Sequence, residues 1–249
     1  MQSFRVLAVA ALAIVSTAGV AAAQFVSIGA VKDNTLYQDP SGSLSNGSGA
    51  YFFCGETFSE NRRRGLLAFD IARSIPAGST ITSVSLTLHV SRTPGGAPPA
   101  SFGELHRVLQ NWGEGASNAG DPGGAGTTAA PNDATWLNTF YPGSFWTSPG
   151  GDFAAASSAS VPITGVGFYT WGSNPAMVAD VQSWLNNPAS NFGWLLLGDE
   201  TQQQTARRYD SRENPIASVR PVLKINYFPE PATLVLLAAG AVALSRCRG

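Results

Sequence analysis

The stretch ITSVSLTLHV, residues 81–90, alternates apolar and polar side chains over its whole length. Val84, Leu86, Leu88 and Val90 hold one set of positions, and Ser, Thr and His residues hold the other. Because successive side chains of a β-strand point to opposite faces, this period of two predicts a strand with one buried and one solvent-facing side. Such a strand needs a second layer to cover its apolar face.

Six other stretches carry strand signals and are separated by turns rich in Gly, Pro, Ser and Asn. They are DNTLYQ (33–38), GLLAFDI (65–71), GELHRVL (103–109), GWLLLGD (193–199), ARRYDSRE (206–213) and RPVLKINYF (220–228). One helix is predicted in SNPAMVADVQSWLNNP (173–188), with Asn174 as N-cap and Pro175 at the first helical position. Its apolar stripe is Val178, Val181 and Leu185, with Met177 and Trp184 on the shoulder. Many short strands with one short helix predict an all-β, jelly-roll-like β-sandwich.

A long segment, about 111–166, departs from this pattern and is rich in Gly, Ala and aromatic residues. Sugars pack flat C–H faces on aromatic rings, so Trp136, Tyr141 and Trp146 are candidate ligand-binding residues. Trp146 is expected to be the exposed ring, because SFWTSPGG surrounds it with small and turn-forming residues. The alternative is that these rings form a private core for a long ordered loop.

The stretch ARRYDSRE combines charges of both signs at strand spacing. Strict alternation places Arg208, Asp210 and Arg212 on one face and Glu213 on the other, within reach of neighbouring strands. We interpret these four residues as a structural ion-paired strand. Contact with a ligand and a catalytic role are the two alternatives.

Composition and motifs exclude several functional classes. The 15 Lys+Arg and 16 Asp+Glu leave a net charge of −1, and no basic patch indicates nucleic-acid binding. No G-x-S-x-G motif occurs, and neither His89 nor His106 lies in a pattern typical of a catalytic base. A polysaccharide hydrolase or lyase with two carboxylates remains an alternative to a non-catalytic protein.

Cofactor signals are sparse. Asp121, Asp133 and Asp152 lie in Gly-rich turns and are weak candidate calcium ligands, although no calcium-loop motif accompanies them. No other cofactor is expected. Cys54 is predicted to be a buried apolar thiol, because the second cysteine, Cys247, lies at the extreme C-terminus.

The two ends of the chain carry sorting signals. Residues 1–23 combine Arg5, an apolar run and three alanines at 21–23, which predicts a secretory signal peptide cleaved after Ala23. Residues 229–249 combine Pro229-Glu230-Pro231, 13 apolar or small residues, and terminal arginines. This run is shorter than the roughly 20 residues of a spanning helix, which favours a transient anchor.

The C-terminal segment resembles the PEP-CTERM sorting signal of Gram-negative bacteria. The residues that carry the resemblance are Pro229, Glu230, Pro231, Arg246 and Arg248. The resemblance implies transient contact with the inner membrane and recognition by an exosortase-type processing enzyme. It also implies a final location at the cell surface or outside the cell, in an exopolysaccharide or biofilm context.

The region between the ends, residues 24–228, resembles a DNRLRE domain, a disaggregatase-related type grouped with carbohydrate-binding modules. The resemblance rests on the order of RRRGLLAFDIARSIPAGSTITSVSLTLHV, VADVQSWLNNPASNFGWLLLGDE and RRYDSRENPIASVRPVLKINY. It implies a β-sandwich that binds polysaccharide. The expected function is therefore an exported, non-catalytic protein that binds or organises polysaccharide. A structural or adhesive matrix protein without a defined sugar site is the alternative.

Overall fold

The computed structural model of the chain describes residues 22–98 and 100–230. Residues Ala23–Pro229 form one compact unit. Two predictions fall outside the described residues: the signal peptide up to residue 21, and the sorting role of Pro231, Arg246 and Arg248. Within the described part of the chain, no helix combines the length and apolarity that a membrane span requires.

Fifteen strands and two α-helices follow one another along the described residues. The strands are β1 (Gln24–Gly29), β2 (Lys32–Tyr37), β3 (Leu44–Ser45), β4 (Tyr51–Glu56), β5 (Arg62–Ala68), β6 (Thr80–Arg92), β7 (Ser101–Arg107), β8 (Thr127–Thr128), β9 (Asn138–Phe140), β10 (Ser144–Phe145), β11 (Ala159–Ile163), β12 (Gly167–Trp171), β13 (Trp194–Leu197), β14 (Arg207–Asp210) and β15 (Val222–Phe228). The helices are α1 (Ile71–Ser74) and α2 (Pro175–Asn186), and two short 3₁₀ turns cover Pro188–Ser190 and Ala217–Val219.

Eleven of these strands form one curled antiparallel sheet. Its main path runs β1-β15-β6-β14-β4-β5-β13-β7-β11, with β12 paired to β6 and β2 paired to β5. Strand β4 joins the two halves of this path, β1-β15-β6-β14 and β5-β13-β7-β11, because it pairs with β14 on one side and with β5 on the other. The predicted all-β, sandwich-like fold is confirmed.

The stretch 81–90 lies within β6 and behaves as its alternation predicts. Its side chains Val84, Leu86, Leu88 and Val90 are buried in the main core, while the intervening polar residues stay partly exposed. Strand β15 continues this buried face, since Leu223 pairs with Leu86 and Ile225 with Val84. Each buried aliphatic side chain contributes about 1.5–3 kcal/mol of transfer free energy, so this strand pair is a large part of the sheet's stability.

The predicted helix is confirmed as α2. The Asn174 side chain caps it by accepting hydrogen bonds from the backbone N–H groups of Ala176 and Met177. Its buried stripe is rotated from the predicted one, because Met177 and Trp184 are buried with Val181 and Leu185, while Val178 is only partly covered. The helix therefore turns Met177 and Trp184 into the core and leaves Val178 at its edge.

Two strand predictions run three residues past the end of their strands, further than the others do. The stretch 65–71 leaves the sheet after Ala68, since Asp70 instead caps the short helix α1 by accepting from the Arg73 backbone N–H. The stretch 206–213 is a strand only as far as Asp210. After Ala68 a local side-chain hydrogen bond replaces the sheet ladder, whereas after Asp210 the Arg212 N–H donates to the carboxylate of the distant Asp33.

The long segment is an ordered part of the fold with its own core. It contributes β8, the β9–β10 hairpin and β11, which pairs with β7. A second apolar cluster lies where this segment covers the sheet. Its buried members are Leu36, Leu66, Ala68, Val108, Trp112, Ala134, Trp136, Trp146 and Leu195.

Candidate functional site

The three aromatic candidates of the long segment lie in different environments. Trp146 is only 5% exposed, and its indole Nε1 donates a hydrogen bond to the Thr135 carbonyl at 2.9 Å. The prediction that Trp146 presents an open ring is therefore wrong, because the β9–β10 hairpin folds the ring into the second cluster. Tyr141 is half-buried, and Phe145 is the exposed ring beside it. The structure does not bring the three candidates onto one open platform.

Trp136 is buried but borders a surface pocket. Its exposed fraction is 7%, and the Arg64 guanidinium lies 4.8 Å from the ring centroid. Gly150, at φ +91°, approaches the ring so closely that a Cβ there would stand 2.8 Å from Cζ2. Arg64 is itself held by Glu200 at 2.7 and 2.8 Å. The ring is therefore rigidly positioned before any ligand binds.

The pocket beside Trp136 has a volume of about 320 Å³. It combines apolar walls with amide and carboxyl groups, and its lining residues are Gln38, Asp39, Pro40, Asn61, Trp136, Leu137 and Pro149. Gln38 accepts a hydrogen bond from the Arg62 N–H, and Asp39 accepts from Ser41 and Ser43. The tight turns around Asp39 thus fix the polar wall. We name this site the Trp136 pocket.

Three of the four predicted ion-pair residues form ion pairs, two of them beyond the strand, and the fourth, Asp210, is hydrogen-bonded to His89. Arg208 Nη1 lies 2.7 Å from Asp121 Oδ1. Asp210 Oδ2 lies 2.5 Å from His89 Nδ1. Arg212 and Glu213 occupy the turn after β14, where their side chains are 2.8 Å apart. Strand alternation does not apply to residues outside the sheet. The prediction that Arg212 shares a strand face with Arg208 and Asp210 is therefore wrong.

Arg212 is the centre of a carboxylate cluster that sequence analysis did not find. Its guanidinium binds both oxygens of Glu114, at 2.7 and 2.6 Å. Its backbone N–H donates to Asp33 Oδ2 at 2.8 Å. Carboxylate oxygens of Asp33, Glu114 and Glu213 all lie within 4.8 Å of one another. Only the tertiary structure joins these residues, because they come from β2, the long segment and the turn after β14.

The electrostatics of this cluster are dominated by burial. Burial raises the pKa of the Asp33 carboxyl well above its usual range, and the neighbouring Glu213 raises it further. Burial, then Glu114, also raises the pKa of Glu213, while the hydrogen bond to Glu114 raises the pKa of Arg212. Asp33 is only 1% exposed. The Asp33 carboxyl group is therefore closed to solvent, while the hydrogen bonds of Arg212 join β2 and the long segment to the turn after β14.

The candidate calcium ligands lie apart. Asp121 pairs with Arg208, Asp133 accepts a hydrogen bond from the Ala130 N–H, and Asp152 accepts from the N–H groups of Thr147 and Ser148. Among residues 22–98 and 100–230 these three aspartates form no group close enough to share an ion. They act in the structure as caps and as an ion-pair partner.

Comparison with known proteins gives no family for this chain. No protein-family model matches the chain, and no curated protein matches its sequence. The resemblances to a DNRLRE domain and to a PEP-CTERM signal therefore rest on the motifs quoted above.

Proposed function

We propose that this protein is an exported, non-catalytic protein that binds or organises polysaccharide at the cell surface or outside the cell. The observation that carries the proposal is the Trp136 pocket, in which a fixed indole and Leu137 face the same space as Gln38, Asp39 and Asn61. A sugar needs both kinds of wall, because its C–H faces pack on apolar groups and its hydroxyls need polar partners.

The arrangement of the pocket favours binding of a short part of a chain. Trp136 supplies an apolar wall rather than an open stacking surface, since Arg64 and Gly150 flank its ring. The side chains of Gln38 and Asp39 are held by hydrogen bonds within the fold, so they would lose little freedom when a sugar binds. Within the carboxylate cluster around Arg212, Asp33 is only 1% exposed, which favours a structural rather than a catalytic role for its carboxyl group.

The proposal is tested by affinity electrophoresis of the purified protein in gels that contain neutral and acidic polysaccharides. Asn61→Ala is expected to weaken retention about fivefold or more with an unchanged melting temperature, because one hydrogen bond contributes about 1 kcal/mol. Asn187→Ala is the matched control, since Asn187 is exposed at the end of α2 and does not line the pocket.

Two results would contradict the proposal. Absence of retention by every polysaccharide would favour a structural or adhesive matrix protein without a sugar site. New reducing ends in a polysaccharide incubated with the protein would favour a hydrolase or lyase instead.

A further inference from the structure

Strand β1 forms one end of the main path of the sheet and has an uncovered edge. All six of its residues pair with β15 on one side, in a continuous register without a bulge. In the described part of the chain, none of the backbone hydrogen bonds outside the ladders involves a residue of β1. The N–H and C=O groups on its outer edge are therefore open to another strand.

The sequence of β1 lacks the features that normally protect such an edge. Natural sheets block their edge strands with charged side chains, proline or bulges. Residues 22–31, AAQFVSIGAV, contain no charged residue and no proline. At the other end of the path, by contrast, β11 carries Pro162, which has no N–H to donate to a further strand. The edge of β1 is therefore suited to pairing, whereas the edge of β11 is not.

The outer face of β1 carries a large ring and an open position at equal distances from Ser27. Phe25, Ser27 and Gly29 alternate along this face, and Phe25 is 65% exposed. Nothing lies within 4 Å of the position that a Cβ of Gly29 would occupy. An aromatic ring on one strand covers a glycine on the next when the two residues lie directly opposite each other.

The inner face of β1 has the same symmetry in its aliphatic side chains. Val26 and Ile28 lie on either side of Ser27 and pack against the main core, but they are only partly buried. No strand covers them on the outer side of β1 among the described residues. A further strand with aliphatic residues at the matching positions would bury them more fully.

We infer that two copies of this protein associate through their β1 strands, which pair antiparallel about a two-fold axis at Ser27. In this register Val26 lies opposite the partner's Ile28, and Phe25 lies opposite the partner's Gly29. Each contact occurs twice, because a two-fold axis brings the same surface of both copies together. The strand therefore matches itself on both faces, and its lack of charge leaves no like charges opposite each other.

The association is expected to be weak. Two paired six-residue strands bury less surface than the roughly 1,200–2,000 Å² of a standard interface. We expect a dissociation constant on the order of 10–100 µM. Analytical ultracentrifugation of the purified protein, over a concentration series that brackets this range, measures it. A protein that stayed monomeric throughout the series would overturn the inference.

Ser27→Lys tests whether β1 is the interface. It places two ammonium groups opposite each other at the axis and should weaken dimerisation at least about tenfold. Because Ser27 is exposed and lies opposite Lys224 within the molecule, the melting temperature should fall by a few degrees at most. Ser160→Lys adds the same charge at an exposed position of β11 and should leave dimerisation unchanged. Equal weakening by both variants, or by neither, would overturn the inference.

Ser27→Cys tests the register. Residues directly opposite on antiparallel strands have Cα atoms about 4.5–5.5 Å apart, a separation that a disulfide spans. Mild oxidation should therefore cross-link two copies of Ser27→Cys but not of Ser160→Cys. Both variants carry Cys247→Ser, so that the introduced thiol and the buried Cys54 are the only ones left. A dimeric sample of Ser27→Cys that did not cross-link would overturn the register.

This inference is independent of the proposed function. Ultracentrifugation and cross-linking use the protein without polysaccharide, and β1 does not line the Trp136 pocket. A monomeric protein that is retained by polysaccharide would overturn the inference and leave the proposed function standing. A dimeric protein that no polysaccharide retains would do the reverse.

Discussion

At the scale of single residues, the environment of each charged group decides its ionisation. Lys32 is half-buried, and its ammonium group donates to the Trp112 carbonyl and Asn111 Oδ1 and lies 4.1 Å from the Trp112 ring centroid. Burial lowers the pKa of Lys32 to about 8, and the nearby Glu114 only partly opposes this. Burial acts in the same way on Cys54, where it raises the pKa of the thiol to about 12 and keeps it protonated. The prediction of a buried thiol is confirmed.

The lowered pKa of Lys32 predicts that the free energy of unfolding depends on pH. Between the folded pKa of about 8 and the unfolded value of 10.5, the unfolded chain binds the proton that the folded protein has released. The free energy of unfolding of the natural protein should therefore rise with pH across this window relative to Lys32→Met. Chemical denaturation of both proteins at several pH values measures the difference, and a difference that stays constant from pH 7 to 10.5 would contradict the prediction.

At the scale of elements, the long segment is the part whose role changes most between sequence and structure. Its pattern is that of a loop, yet its aromatic side chains build the second apolar cluster against β2, β5 and β13. The alternative of a private core for the rings therefore holds for Trp136 and Trp146. The same segment also supplies Asp121 and Glu114, which pair with Arg208 and Arg212.

Phe145 and the adjacent Trp146 differ in burial, so truncating each of them tests how much burial contributes to stability in the long segment. Trp146→Ala should cost about 3–5 kcal/mol of stability, because it removes a buried indole and leaves a cavity. Phe145→Ala, in the preceding residue, should change stability by about 0.5 kcal/mol or less, since that ring is exposed. Melting temperatures of the two variants measure this contrast. Similar losses of stability in both variants would show that Trp146 is not buried in the second apolar cluster.

At the scale of the whole molecule, Arg212 joins parts of the chain that are far apart in sequence. It connects Asp33 of β2, Glu114 of the long segment, 98 residues away, and Glu213 beside it. The cluster joins β2 and the long segment to the turn that follows β14. Removing its cation would leave three carboxyl groups within a few ångströms of one another.

Arg212→Ala is accordingly expected to destabilise the protein by about 1–3 kcal/mol, between the values for exposed and buried ion pairs, because its side chain is partly exposed. Arg62→Ala is the control, since its pair with Glu200 is longer and more exposed and Arg64 still binds that carboxylate. Thermal unfolding and polysaccharide retention are measured on the same samples. An unchanged melting temperature together with lost retention would make this turn a binding site rather than a structural connection.

Local patterns in the sequence determined the elements. The alternation in residues 81–90 predicts β6, and Asn174 with Pro175 predicts the start of α2, because strand period, capping and the restricted φ of proline act between neighbours along the chain. The all-β class follows from the same kind of signal. Where these predictions extend too far, at Asp70 and Arg212, a short-range hydrogen bond or a turn ends the strand.

Tertiary structure alone decided which side chains meet. The pairing of Arg212 with Glu114, the burial of Trp146 and the placing of Arg92 beside Arg208 depend on strand order, register and the path of the long segment. No local period carries that information, since a side chain's charge or ring is the same whether it faces solvent or another segment. Neighbours in sequence thus determine the helices and strands, whereas the Trp136 pocket and the carboxylate cluster around Arg212 arise from packing between distant segments.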